Sequence, residues 1–116
     1  MRDQNLASKI QYYYKTKAKR VDKNVRQANF WVLWRTAMPS LLTEIGFLTN
    51  HEEEKFLGSE KGQDYIATSL FLAFRDYKNE LEGTKIKYDD DLTKIAPYEA
   101  PKDAISEMAD TADIVK

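Results

Sequence analysis

One carboxylate stands inside an apolar run. Glu44 lies within Met38-Pro39-Ser40-Leu41-Leu42-Thr43-Glu44-Ile45-Gly46-Phe47-Leu48-Thr49-Asn50, flanked by Leu41, Leu42, Ile45 and Phe47. If this run is a buried strand, an unpaired carboxylate in it is costly unless something compensates the charge. The other chemistry-bearing residues are sparse. His51 is the single histidine, and it falls between Asn50 and Glu52-Glu53-Glu54, where a surface helix start is the simpler account. One histidine with no second at helical or strand spacing does not make a zinc site. Asp89-Asp90-Asp91 lacks the glycine and the spaced ligands of a calcium loop. Ser40 and Ser59 have no histidine base at a recognisable spacing, and there is neither a nucleophile elbow nor a glycine-rich phosphate loop.

Glu44 therefore carries the chemical argument. A carboxylate at the carboxyl end of a buried strand points into the crevice where α/β sheets bind ligands, and it suits general-base work toward a metal-bound water. The competing account is a structural ion pair with Arg35 or Arg26. On the residues alone both stay open.

The elements around it follow from spacing. Leu6, Ile10, Tyr13, Tyr14 and Ala18 form an amphipathic stripe that predicts a helix over 3–18, with Lys9, Lys15, Lys17 and Lys19 on the wet side. Lysines interleaved with tyrosines also suit nucleic acid. A solvated lysine face beside a tyrosine-edged stripe is the commoner arrangement, so no nucleic-acid partner is expected. This helix starts without a convincing cap, as expected of a cut through a longer element. Asp22 and Asn24 are suited to turn the chain. The aromatic, β-branched run around residues 29–35 predicts one strand, and 40–45, entered through Pro39, predicts a second. Asn50 with Glu53 three residues on is a capping-box pattern for a helix over 51–57, which makes the acidic triplet a capping device. Ser59 caps a longer helix over 60–81, whose apolar side carries Ile66, Leu70, Ala73, Phe74, Tyr77 and Leu81. Gly83 ends it. Residues 83–116 are acidic and interrupted by prolines, and are expected to be an irregular or disordered linker or tail, with room for a turn of helix near 102–109.

The totals are compatible with one domain of 116 residues. The formal net charge of −1 hides a gradient: residues 1–34 carry +6, residues 35–82 carry −4 and residues 83–116 carry −3. The absence of cysteine excludes disulfides and thiolate metal sites. No run approaches the roughly 18 apolar residues of a membrane span, and residues 1–5 do not read as a signal peptide.

Val32-Leu33, the 38–50 segment, Glu53-Glu54 and Gln63 with Ile66-Ala67 together resemble the carboxyl-terminal part of the zinc-dependent N-acetylmuramoyl-L-alanine amidases. The resemblance runs from about Leu6 to Leu81. It implies a peptidoglycan substrate, cleaved between N-acetylmuramic acid and the L-alanine of the stem peptide, and a periplasmic or cell-envelope location. It also implies that Glu44 is the catalytic residue beside the zinc, activating the bound water and then protonating the leaving amine. The family's metal ligands, two histidines and a glutamate, lie upstream of the matched segment and have no counterpart here. His51 stands where proline is frequent in the family and does not replace one. Lys23-Asn24 replaces the usual arginine-glycine, and Trp34 stands where many relatives have arginine.

The expected architecture is thus α/β, a partial three-layer sandwich with two core strands bracketed by helices. Residues 1–82 are expected to be the carboxyl-terminal portion of an amidase catalytic domain, inactive in isolation, and 83–116 an acidic tail. The alternative is a non-catalytic binding module derived from such an enzyme. With so thin a core, self-association through exposed sheet edges is also expected.

Overall fold

A computed structural model describes residues 2–26, 33, 36–38, 40–47, 49–88 and 90–99. Among these residues four helices follow in order: α1 (Arg2–Thr16), α2 (His51–Gly58), α3 (Glu60–Glu82) and the single turn α4 (Asp90–Thr93). Among the described residues there is no strand and no sheet. The expected α/β sandwich is therefore replaced by a helical layer, and the expected sheet edges for self-association are missing from it.

The predicted strand over 29–35 lies outside the described residues apart from Leu33. That residue sits in a turn, its carbonyl accepting from the Thr36 hydroxyl at 3.0 Å. The predicted strand over 40–45 is described, and it is irregular. A strand exists through a ladder with a neighbour, and no described segment supplies one to 40–47. Leu42, Ile45 and Phe47 are accordingly 51%, 42% and 52% exposed.

The helices form where their caps and stripes indicate. Asn50 Oδ1 accepts from the backbone N–H groups of Glu52 and Glu53, each at 3.1 Å, and so starts α2. Ser59 Oγ accepts from the Gly62 N–H at 2.9 Å and starts α3. Gly83, in the left-handed region at φ 65°, returns its N–H to the Asn79 carbonyl and ends α3. Helix α1 stops two residues earlier than its stripe predicts. Lys19 is left-handed at φ 53°, and the Arg20 N–H turns back to the Tyr14 carbonyl at 2.8 Å.

Helices α1 and α3 make the principal contact. Ile10, Tyr14 and Ala18 from the amino-terminal stripe bury against Phe56, Ile66 and Ala73. Ser69 and Ala73 are wholly buried, and their small side chains let α1 approach α3 closely. The buried face of α3 is rotated from the expected one: Thr68, Ser69 and Leu72 join Ile66, Ala73 and Tyr77, while Phe74 and Leu81 face outward. A sheet would have covered a broad arc, whereas one crossing helix covers a narrower strip.

Polar ties reinforce this pairing. Lys9, placed on the wet side by its spacing, pairs with Glu80 at 2.7 Å, and Asn5 donates to the same carboxylate at 2.9 Å. The Tyr13 hydroxyl donates to Asp76 Oδ2 at 2.5 Å, while Arg75 Nε holds the other oxygen at 2.9 Å. Burial first, and then the bond to Asp76 and its charge, push the Tyr13 phenol from 10.0 to about 12. The folded state therefore holds this proton more tightly than the unfolded chain does. Its stabilising contribution is complete below pH 10.0 and is lost as the pH climbs toward about 12. Tyr13→Phe is expected to flatten the fall in urea midpoint between pH 10.0 and about pH 12, with Asp76 still held by Arg75. An equally steep fall in the variant contradicts this assignment.

Residues 95–99 return to the helical layer instead of trailing from it. The Tyr98 N–H donates to the Lys17 carbonyl at 2.7 Å, Lys17 Nζ donates to the Ile95 carbonyl at 2.6 Å, and the Tyr65 hydroxyl donates to the Ala96 carbonyl at 2.9 Å. The Tyr98 ring packs edge-on against Phe56 and Tyr65, with centroids 4.9 and 5.4 Å away. Composition alone cannot show this, because one aromatic anchor supplies the attachment. The helix considered near 102–109 lies outside the described residues.

Candidate functional site

Glu44 projects from the irregular segment between α1 and α2. It is exposed, and it makes no hydrogen bond or ion pair among the described residues. Arg26 is described and does not pair with it; Arg35 lies outside the described residues. The desolvation cost expected of a carboxylate buried in a strand does not arise.

Glu44 lines an open groove of about 990 Å³. One wall is the α1 face bearing Ile10 and Tyr14, another is the 20–26 connection with Arg20, Lys23 and Arg26, and the 40–47 segment forms the third. Three cations thus share a groove with Glu44 and Glu53, an arrangement that suits a polar, partly anionic ligand. Arg20 is half-buried with its guanidinium 3.9 Å from the centre of the Phe56 ring. Burial lowers its pKa, and the charges of Glu53 and Tyr98 oppose that shift. Lys23 Nζ lies 5.3 Å from the centre of the Phe47 ring, which brings the 20–26 connection over the 40–47 segment.

The segment carrying Glu44 is tied on both sides. The Thr43 and Tyr14 hydroxyls share a hydrogen bond at 2.8 Å. Burial raises the Tyr14 pKa, with the Thr43 bond opposing it, so the phenol stays protonated at neutral pH. On the other side the Phe47 N–H donates to Glu53 Oε2 at 2.7 Å, and the Asn50 N–H donates to the Phe47 carbonyl at 3.0 Å. Sequence reasoning marked Glu53 as a cap and Tyr14 as core. The Asn50 to Glu53 spacing signals the cap, but nothing in the sequence points to the Glu53 bond with Phe47 or the Tyr14 bond with Thr43.

The remaining candidates are structural. His51 Nδ1 faces Glu54 Oε2 at 3.6 Å on the surface. Ser59 Oγ caps α3 and donates to the Phe56 carbonyl at 2.7 Å. Ser40 Oγ donates to the Met38 carbonyl at 2.9 Å and also contacts the Thr36 hydroxyl. Asp89 and the Asp90 side chain are not described, and Asp91 lies 3.9 Å from Lys94. Among the described residues, no group of three His, Asp or Glu side chains is placed to hold a metal ion. The described residues therefore do not fit a resident zinc. No helix among the described residues is long and apolar enough to cross a membrane.

Comparison with known proteins gives this groove its context. The profile of the family described as N-acetylmuramoyl-L-alanine amidase matches residues 1–76, taking in α1, Glu44, α2 and most of α3. The chain is 33% identical over 75 residues to the uncharacterized protein YqiI of Bacillus subtilis, covering 65% of this chain and 36% of that protein. It is 46% identical over 55 residues to the N-acetylmuramoyl-L-alanine amidase AmiC of Neisseria meningitidis, covering 47% and 13%. To the amidase AmiA of Escherichia coli it is 44% identical over 48 residues, covering 41% and 17%. The chain thus spans well under half the length of these relatives. No solved structure matches it. The chain belongs to the N-acetylmuramoyl-L-alanine amidase family of cell-wall hydrolases.

Proposed function

We propose that residues 1–82 are the carboxyl-terminal portion of a peptidoglycan amidase catalytic domain, that 83–116 form a segment following it, and that Glu44 is the general base. The observation that supports this most is the position of Glu44: a carboxylate exposed on the groove and unpaired among the described residues, within the stretch that matches the family. In this role Glu44 takes a proton from the water that attacks the lactyl carbonyl of N-acetylmuramic acid. A C–O bond forms, the C–N bond to L-alanine breaks, and Glu44 returns the proton to the departing nitrogen, so the carboxylate is regenerated. Arg20, Lys23 and Arg26 line the same groove and would attract a stem peptide through its carboxylates.

The zinc implied by the family has no ligand set among the described residues, so its ligands are assigned to protein outside this chain, and the chain alone is expected to be inactive. The compartment is the cell envelope, where peptidoglycan lies. The missing ligand set also supports a second reading, a non-catalytic module that binds the wall. Both are tested by incubating purified peptidoglycan with the intact amidase, its Glu44→Gln variant and the isolated chain, then measuring released stem peptides and sedimentable protein. Hydrolysis by the intact protein that is lost in Glu44→Gln supports the first reading. Undiminished hydrolysis in that variant, with its metal content unchanged, excludes Glu44 as the base. Tight sedimentation of the isolated chain without hydrolysis by any form favours the module.

A further inference from the structure

Among the described residues nothing bonds to the Glu44 side chain, so its position is inherited from its backbone. No described segment supplies that backbone with a ladder. What does hold it is a short set of contacts from the helical layer, and one of them is unusual for the residue that makes it. In a capping box the carboxylate at the third helical position returns to the N–H of the capping residue. Here the Asn50 N–H is taken by the Phe47 carbonyl at 3.0 Å, and Asn50 itself satisfies Glu52 and Glu53. The Glu53 carboxylate passes over its own cap and accepts from the Phe47 N–H at 2.7 Å.

Gly46 makes this reach possible. Its φ of 153° is one that side chains disfavour, and a Cβ there would lie 3.3 Å from Glu53 Oε2 and 3.0 Å from Leu57 Cδ1. The backbone two residues after Glu44 therefore lies directly on the carboxylate. A charged acceptor makes a bond roughly twice as strong as a neutral one. On the other flank the hydroxyl of the buried Tyr14 holds Thr43. The ties sit one residue before Glu44 and three residues after it.

We propose that Glu53 is a positioning residue that sets Glu44 in the groove by holding the Phe47 N–H, with Tyr14 as the matching tie at Thr43; this rests on the reading of Glu44 as the general base. Glu53 does not touch the reacting atoms. It fixes the distance between the base and the scissile bond, where a displacement of about 1 Å costs on the order of 10²-fold in rate.

The test pairs Glu53→Ala with Glu53→Gln, because glutamine keeps an acceptor oxygen in place while losing the charge. In the full chain, Glu53→Ala is expected to speed amide exchange at Phe47 by about tenfold or more, with the α3 core amides unchanged. In the intact amidase it is expected to lower kcat on the order of 10²-fold with KM within about twofold, and Glu53→Gln to recover most of that loss. Tyr14→Phe serves as the second variant should Glu53→Ala fail to fold, and it is expected to lower kcat with KM held. The proposal is overturned if Glu53→Gln is as inactive as Glu44→Gln, which would make Glu53 a reacting group, or if Glu53→Ala leaves both exchange and kcat unchanged. Full activity in Glu44→Gln alongside faster Phe47 exchange in Glu53→Ala would instead sink the general-base reading while leaving the Glu53 tie in place.

Discussion

Gly62→Ala is expected to lower the thermal midpoint of the chain by about 10 °C or more, the largest stability loss of any single methyl addition at its glycines. A Cβ at Gly62 would overlap the Phe56 carbonyl oxygen, and would stand 2.7 Å from that carbonyl's carbon and 2.9 Å from Ser59 Oγ. These neighbours cannot yield as a flexible side chain does. The carbonyl accepts from the Ser59 N–H at 3.2 Å at the end of α2, and Ser59 Oγ caps α3 through the Gly62 N–H. Relieving the overlap means separating two helices that meet at one residue. Overpacking costs typically about 1–3 kcal/mol, and backbone neighbours put this site at about 3 kcal/mol or above. Gly58 is the internal control. An added Cβ there meets nothing within 4 Å, so Gly58→Ala should be neutral or raise the midpoint slightly. Calorimetry of both variants checks the pair, and equal midpoints would contradict the account of the α2–α3 joint.

Glu44→Gln is expected to reduce kcat for peptidoglycan hydrolysis by the intact amidase on the order of 10²–10⁴-fold, the range a positioned general base supplies. Glutamine preserves the size of the side chain while removing its charge and its capacity to take a proton. Since Glu44 makes no bond among the described residues, the substitution breaks no structural contact there, and the thermal midpoint should not move. KM should also hold, because the cations of the groove are untouched. A loss of kcat with midpoint and KM preserved is the signature of a group that acts only in the transition state. A loss accompanied by a lower midpoint would assign Glu44 a structural role instead.

The parts of this molecule legible in its sequence are those governed by local chemistry. Asn50 and Ser59 announce the starts of α2 and α3, and Gly83 announces the end of α3, because a cap satisfies backbone groups within four residues of itself. The stripe Leu6, Ile10, Tyr14, Ala18 gave the buried face of α1 for the same reason. Residues 40–45 misled because an extended entry through Pro39 and apolar side chains describe an extended chain but cannot supply the neighbour that makes it a strand. That error carried into the site. Glu44 drew attention as a charge in a buried strand, and it stands exposed at a groove. The family resemblance, resting on residue identity and not on burial, was unaffected. Glu53 was legible as a cap and not as a tie to Phe47, since its partner lies across a loop whose path depends on Gly46. The rotation of α3 toward Ser69 and Leu72 was set by where α1 crosses it, which no periodicity within α3 contains.

The return of residues 95–99 to α1 has a consequence in time. The clasp between Lys17 and Ile95 spans 78 positions, and those between α1 and α3 span 56 to 75. Helical proteins ordinarily fold quickly on contacts between near neighbours, whereas distant contacts require a long loop to close first. On a ribosome adding about 5–20 residues per second, the first helix would emerge roughly 4–16 s before its last fastening is made. Until α3 is made, Ile10 and Tyr14 lack the Phe56, Ile66 and Ala73 surface they pack against, and residues 17–20 wait longer still for Ile95 and Tyr98. That delay leaves the apolar stripe of α1 open to wrong partners for several seconds of synthesis.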